Sequence, residues 1–191
     1  MLITVEGIDG AGKTTLVSGL AAALGDVEVL REPGGVELSE RLRALVKDPG
    51  LSVGPRAEAL IYAAARAQLV EERLRPLLAS GRRVLLDRFV DSSLAYQGGG
   101  RGLGVEAVRE LNRFATGGLT PDRTLLLRVD PALALGRMDG DDRIEREREA
   151  FWTACARAYD ELAAAEPERF VVLDAAQPPE TVLAHALQAL R

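Results

Sequence analysis

The chain of 191 residues has one cysteine, Cys155, and one histidine, His185. A single thiol allows no internal disulfide and no cysteine-based metal site, which fits a reducing cytosol. Basic excess is missing too. The net charge of −5 argues against broad binding to nucleic acid, which needs a basic face. No apolar run approaches the length of a membrane span, and the short apolar start, without a basic region before it, does not suit a signal peptide. There is no repeat, no low-complexity tract and no Asn-Lys-x-Asp guanine reader. What is left is a soluble, cytoplasmic α/β protein, read as one domain over residues 1–191. His185 lies among Val182, Leu183, Ala186 and Leu187 of a closing helix, and Cys155 shares a stripe with Phe151, Tyr159 and Leu162. Both read as structural.

The richest stretch is at the start. The β-prone run Leu2–Glu6 leads into Gly7-Ile8-Asp9-Gly10-Ala11-Gly12-Lys13-Thr14, then into Thr15, Leu16 and an Ala/Leu-rich helix. This is G-x-x-x-x-G-K-[ST] between a strand and a helix, the setting in which the motif cradles phosphate. The glycines permit positive φ and let backbone N–H groups approach phosphate oxygens, and the helix N-terminus points at the same place. Lys13 supplies a cation for the β- and γ-phosphates, and the Thr14 hydroxyl suits Mg²⁺. The stretch predicts a nucleoside triphosphate site.

Further along, strands are expected over residues 27–31, 83–87, 124–129 and 170–173. Helices are expected over 13–24, 36–47, 55–80 with a bend near Pro76, 91–97, 105–116, 131–138, 145–165 and 179–190, with a turn at Gly98–Gly100. Alternation of the two predicts a five-stranded parallel sheet flanked by helices, a three-layer α/β fold of the P-loop NTPase type. Ligands of such sheets bind beyond the carboxyl ends of the strands, and the charged signatures lie at those ends.

Asp87-Arg88 ends the third strand, where a carboxylate suits the Mg²⁺ shell and a guanidinium suits phosphate, unless the two simply pair. Arg31-Glu32-Pro33-Gly34-Gly35 follows the second strand, with Glu32 within reach of the metal region. Arg43, on the next helix, is either a second phosphate ligand or a solvated side chain. Tyr62 and Arg66 are spaced i, i+4, which suits the face and edge of a nucleobase, although an aromatic at helical spacing is more often a core position. Asp91 is a candidate N-cap for Ser92 and Ser93, and Gln97 offers a donor and an acceptor for a pyrimidine edge. Residues 136–145, between two helices and carrying Arg137 and Arg143, form a candidate lid.

Taken in order, Glu6–Thr15, Arg31–Gly35, Leu60–Gln68, Asp87-Arg88-Phe89, Ser92–Gly102 and Asp142-Arg143-Ile144-Glu145 resemble the bacterial thymidylate kinases over nearly the whole chain. The phosphate loop is shared by many kinases; Arg-Glu-Pro-Gly-Gly, Asp-Arg-Phe and Ala-Tyr-Gln-Gly together are far more specific. The resemblance implies transfer of the γ-phosphate of ATP to dTMP, with Mg²⁺, in a homodimer. It implies that Gly7–Thr15 bind ATP and that Asp9 approaches the acceptor's 3′-hydroxyl. Arg88 and Arg43 would hold the dTMP phosphate. Tyr62, where phenylalanine is usual, would stack on thymine, Arg66 and Gln97 would bond its edge, and Ser92 and Ser93 would line the pocket. Thr14, Asp87 and Glu32 would form the metal surroundings, and Lys13, Asp9, Arg88 and Arg143 the catalytic set. The lid departs from the pattern. Members without arginine in the phosphate loop usually carry several basic lid residues, but here Arg137 and Arg143 stand among three aspartates. Either these suffice or Arg146 or Arg148 contributes.

Overall fold

In the computed structural model, which describes residues 1–137 and 142–191, the elements alternate much as the sequence suggests. β1 (Leu2–Glu6) leads through the phosphate loop into α1 (Lys13–Leu24), then β2 (Glu28–Arg31), α2 (Glu37–Lys47) and α3 (Pro55–Leu69). A wide π-type turn at Val70–Leu74 joins α3 to α4 (Arg75–Ala79). Pro76 accounts for it: proline lacks an N–H, and its ring would collide with the carbonyl four residues earlier in an unbroken α-helix. Then come β3 (Val84–Asp87), α5 (Val90–Ser93), a π-type stretch at Leu94–Gly100 and α6 (Val105–Thr116). The chain closes with β4 (Arg123–Arg128), α7 (Pro131–Leu135), α8 (Glu149–Ala165), β5 (Phe170–Asp174) and α9 (Pro179–Ala189).

The five strands form one parallel sheet in the order β2-β3-β1-β4-β5. β1 is central. The chain builds β2 and β3 on one side of it and β4 and β5 on the other, so the crevice beyond its carboxyl end is where ligands of such sheets bind. Alternate residues face opposite layers: Ile3, Val5 and Leu85 join a core with Leu20, Trp152 and Ala186, while Leu2, Val84 and Leu86 join another with Leu69, Val70 and Leu74. Burial on both faces explains why these strands read as nearly continuous apolar runs.

Three local expectations are corrected. Gly98–Gly100 is helical, not a turn. A Cβ on Gly99 would stand 2.7 Å from Ala158 Cβ, and one on Gly100 2.6 Å from Cys155 Sγ. These glycines let the π-type stretch lie against α8. Asp91 does not cap a helix; its carboxylate is buried and takes Arg169 Nη1 at 2.6 Å and Nη2 at 3.0 Å. An unpartnered buried carboxylate is costly, and Arg169 is the nearby cation that satisfies it. The helix expected over 145–165 starts at Glu149, because Asp142 Oδ1 accepts from the Ile144 and Glu145 amides in a separate turn. His185 is on the exposed side of α9, whereas Cys155 is fully buried.

Candidate active site

A cavity of about 660 Å³ opens beyond the carboxyl ends of β1, β2 and β3, lined by Asp9–Thr15, Glu32, Arg43, Tyr62, Arg66, Asp87, Arg88, Ser92, Ser93 and Gln97. The signatures at the strand ends do converge.

The phosphate loop is shaped by its glycines. Gly10 has φ 75°, and a Cβ there would run into the Ala134 carbonyl oxygen. Lys13 is buried, with Nζ donating to the Ile8 carbonyl at 2.8 Å and lying 3.7 Å from Asp9 Oδ1. Burial, helped by the Arg88 charge and opposed by Asp9, lowers its pKa to about 8. Thr14 and Thr15 are exposed to the cavity.

Arg88 is the one non-glycine described residue with positive φ, 69°. Its Nη1 donates to the Gly7 carbonyl and to Ser92 Oγ, each at 3.0 Å, and its Nη2 donates to Asp9 Oδ1 and to Tyr96 Oη. Burial alone would lower its pKa, but the Asp9 carboxylate outweighs that and keeps the guanidinium a cation. For Asp9, burial acts upward but the Arg88, Lys13 and Lys47 charges dominate and bring it to about 2.

Beneath Arg88 lies Glu6, fully buried at the end of β1. It accepts from the Phe89 amide at 2.7 Å, Ser92 Oγ at 2.6 Å and Tyr159 Oη at 2.8 Å. Burial, then the Asp91 charge, raises its pKa to about 7. By fixing the Phe89 amide it helps to hold the unusual backbone of Arg88, whose cost the surroundings must offset.

The opposite wall is built on Arg66, 2% exposed. Its Nε and Nη2 reach Glu32 Oε2 at 2.7 and 2.6 Å, its Nη1 donates to Ser93 Oγ at 2.9 Å and to Asn112 Oδ1, and its Nη2 also donates to the Phe89 carbonyl at 2.8 Å. Nε, Nη1 and Nη2 all donate to protein acceptors, so a base would meet a guanidinium already committed to the wall. Glu32, expected beside the metal, is instead drawn to this guanidinium, with its Oε1 buried and without a partner among the described residues. Arg43 lines the same side and donates to the Pro33 carbonyl at 2.9 Å. Tyr62 is half-buried at the cavity wall, and Gln97 is buried, donating Nε2 to Glu58 Oε1 at 2.9 Å.

Asp87 and Arg88 do not pair by hydrogen bond or salt bridge; Asp87 Oδ1 is buried without a partner among the described residues. Of the lid over 136–145, residues 138–141 lie outside the described residues. Arg137 lines the cavity and donates to the Gly10 carbonyl at 3.3 Å. Arg143 is not brought to the phosphate loop: its Nη2 is 2.5 Å from Glu58 Oε2 and its Nε donates to the Val46 carbonyl at 3.0 Å. A buried carboxylate close by holds it there. Glu6, Glu58, Lys47 and Tyr96 were not singled out. Glu6 left a signal as a carboxylate ending an otherwise apolar strand, and Tyr96 as part of Ala-Tyr-Gln-Gly.

The family model described as thymidylate kinase matches residues 5–186. The chain belongs to the thymidylate kinase family. It is 47% identical to the thymidylate kinase of Oenococcus oeni, covering 99% of this chain and 94% of that one. It is also 47% identical to that of Deinococcus radiodurans, covering 100% and 96%. The crystal structure of thymidylate kinase from Ehrlichia chaffeensis superposes with a TM-score of 0.84 at 29% identity, covering 100% of this chain and 97% of that one. Membership in the family fits a cavity that runs from the phosphate loop past Arg88 to Arg43 and Tyr62.

Proposed function

We propose that this one cleft holds ATP and dTMP together and moves the γ-phosphoryl group by direct in-line displacement. As a family member the chain phosphorylates dTMP to dTDP, and the family uses ATP. The observation that carries the residue-level reading is the sharing of Asp9 by Lys13 and Arg88, one cation from the donor's loop and one from the strand end facing it. Gly7–Thr15 cradle the ATP phosphates through backbone N–H groups, and Lys13 bridges the β- and γ-oxygens. Arg88 and Arg43 take the dTMP phosphate. In doing so Arg88 releases Asp9, which turns to the acceptor's 3′-hydroxyl. Tyr62 stacks on the base, Gln97 meets its edge, and Arg66 with Ser92 and Ser93 shapes the pocket. Positioning and electrostatics supply the rate, as the transferring group spreads charge over oxygens that these cations face. Water must be kept from the γ-phosphate, a task for the lid over 136–145. Arg137 is its cation nearest the loop and Arg143 its anchor on Glu58.

Mg²⁺ fits the residues present. Among the described residues no cluster of three or more His, Cys, Asp or Glu side chains could hold an ion, but the Thr14 hydroxyl and the unpartnered Asp87 Oδ1 are hard oxygen donors. That suits an ion held chiefly by nucleotide phosphates and water. When bound, it neutralises charge on the β- and γ-phosphates. The chain works in the cytoplasm as a single domain over residues 1–191; no helix among the described residues is long and apolar enough to cross a membrane. Leu38 and Leu45 of α2, Leu60 of α3 and Phe114 of α6 are exposed on helices that pack in that order, and they are the apolar side chains that a second copy would cover in a homodimer.

The test is ADP release from ATP and Mg²⁺ with dTMP, dUMP, dCMP, dGMP, AMP and thymidine presented separately. Turnover is expected to be strong with dTMP and weaker with dUMP. Turnover with thymidine but not dTMP would overturn the acceptor-phosphate role of Arg88 and Arg43.

A further inference from the structure

Glu58, in the first turn of α3, is fully buried beside the cavity, and the roles assigned above do not use its carboxylate on a nucleotide. Its Oε1 accepts from Gln97 Nε2 at 2.9 Å and from Arg101 Nε at 3.0 Å. Its Oε2 accepts from Arg101 Nη2 at 3.0 Å and from Arg143 Nη2 at 2.5 Å. Burial pushes the Glu58 carboxyl up, but the hydrogen bonds from Arg101, Gln97 and Arg143 outweigh it, and the group lies below the usual carboxylate range. Glu58 is therefore ionised, and an ionised carboxylate only accepts. The amide nitrogen of Gln97 must face it. That leaves Gln97 Oε1 as the amide atom available to the cavity that Gln97 lines.

We propose that Glu58 is a specificity-determining positioning residue. By fixing the Gln97 amide with Oε1 toward the cavity, it makes the site select a pyrimidine with an N–H on its pairing edge over one with a bare ring nitrogen there. Thymine and uracil carry that N–H. Cytosine presents a lone pair, which would face the lone pairs of Oε1, and a buried acceptor left opposite an acceptor loses its hydrogen bond outright. Selection against cytosine thus depends on a carboxylate that touches no nucleotide. The inference rests on the proposed seating of the acceptor base beside Gln97.

The test compares dUMP with dCMP, which lack the methyl group alike and differ in this edge. Values of kcat/KM are measured for both, and for dTMP, on the wild-type chain and on Glu58→Gln. In the variant the partner amide offers either a donor or an acceptor, and Gln97 is free to turn over. The wild type is expected to prefer dUMP to dCMP by at least about 100-fold, and Glu58→Gln to lower that ratio about 10-fold or more. A merely structural role would lower all three values together and leave the ratio unchanged, which would overturn the proposal. Equal use of dUMP and dCMP by the wild type would also overturn it while leaving the dTMP kinase reading intact. A wild type that turns over neither dTMP nor dUMP would overturn the seating of the acceptor, and this inference with it. Should Glu58→Gln fail to fold by circular dichroism, Glu58→Asp is read the same way. It keeps a charge for Arg101 and Arg143 but is one methylene short of Gln97.

Discussion

Asp9 and Arg88 are bonded to each other at the foot of the phosphate loop, the aspartate Oδ1 taking the guanidinium Nη2 while standing 3.7 Å from Lys13 Nζ. One carboxylate thus balances the two cations expected to meet donor and acceptor phosphates. In the proposed seating of the two nucleotides, phosphate oxygens would replace Asp9 on each cation, and the freed carboxylate would turn toward the acceptor's sugar. Asp9→Asn weakens this balance without removing the hydrogen-bonding shape. We expect a fall in kcat of about 100-fold and a lower melting temperature, because Arg88 and Lys13 lose the carboxylate that balances them, checked by steady-state kinetics and a melting curve.

Lys13 gives a pH dependence. Its pKa of about 8 lies below the ordinary lysine value because burial penalises the charged form. The cation that meets phosphate is therefore fully present below about pH 7 and is lost as pH rises through 8. ATP affinity, measured by calorimetric titration, should hold steady from pH 6.5 to 7.5 and then weaken, approaching tenfold per pH unit above pH 8. A flat affinity to pH 9.5 would contradict the burial argument.

Glu6 shifts the other way. Its folded pKa of about 7 stands above the ordinary glutamate value, so its contribution to stability is fully present below about pH 4.5 and is lost as pH rises through 7. Glu6→Gln, which cannot ionise, should therefore gain in melting temperature relative to the wild type between pH 5 and pH 8. A difference independent of pH would mean that Glu6 does not carry the proton.

The Asp91–Arg169 pair, with side chains 3% and 14% exposed, ties α5 to the start of β5 through Thr124. Asp91→Ala leaves a partly buried guanidinium short of its partner and should cost about 3 kcal/mol in urea unfolding. Asp91→Asn keeps a hydrogen-bond acceptor and should cost clearly less. Equal losses would place the whole effect in the carboxylate's charge, since the asparagine variant would keep the shape and an acceptor oxygen.

How far all this was legible follows from what each signal encodes. The phosphate loop was plain because glycine spacing, Lys13 and the flanking strand and helix are local facts of the chain. The parallel sheet was plain because strands buried on both faces are apolar throughout, as Val84–Leu86 are. Arg88 and Asp87 stood out because they close such a strand. Partners far apart in sequence left no such mark. Nothing local says that Arg66 meets Glu32 and Asn112, or that Arg143 reaches Glu58 across 85 positions. Gly98–Gly100 read as a turn because three glycines usually make one; the close approach of α8 was invisible until the helices were packed.

The most direct test of the central claim is Arg88→Ala, comparing KM for dTMP with the dissociation constant for ATP. The account predicts that KM for dTMP rises about 100-fold or more while ATP binds within about threefold of the wild type, because Arg88 serves the acceptor and Lys13 the donor. Equal weakening of both nucleotides would contradict it and make Arg88 a general support of the cleft rather than the acceptor's phosphate ligand.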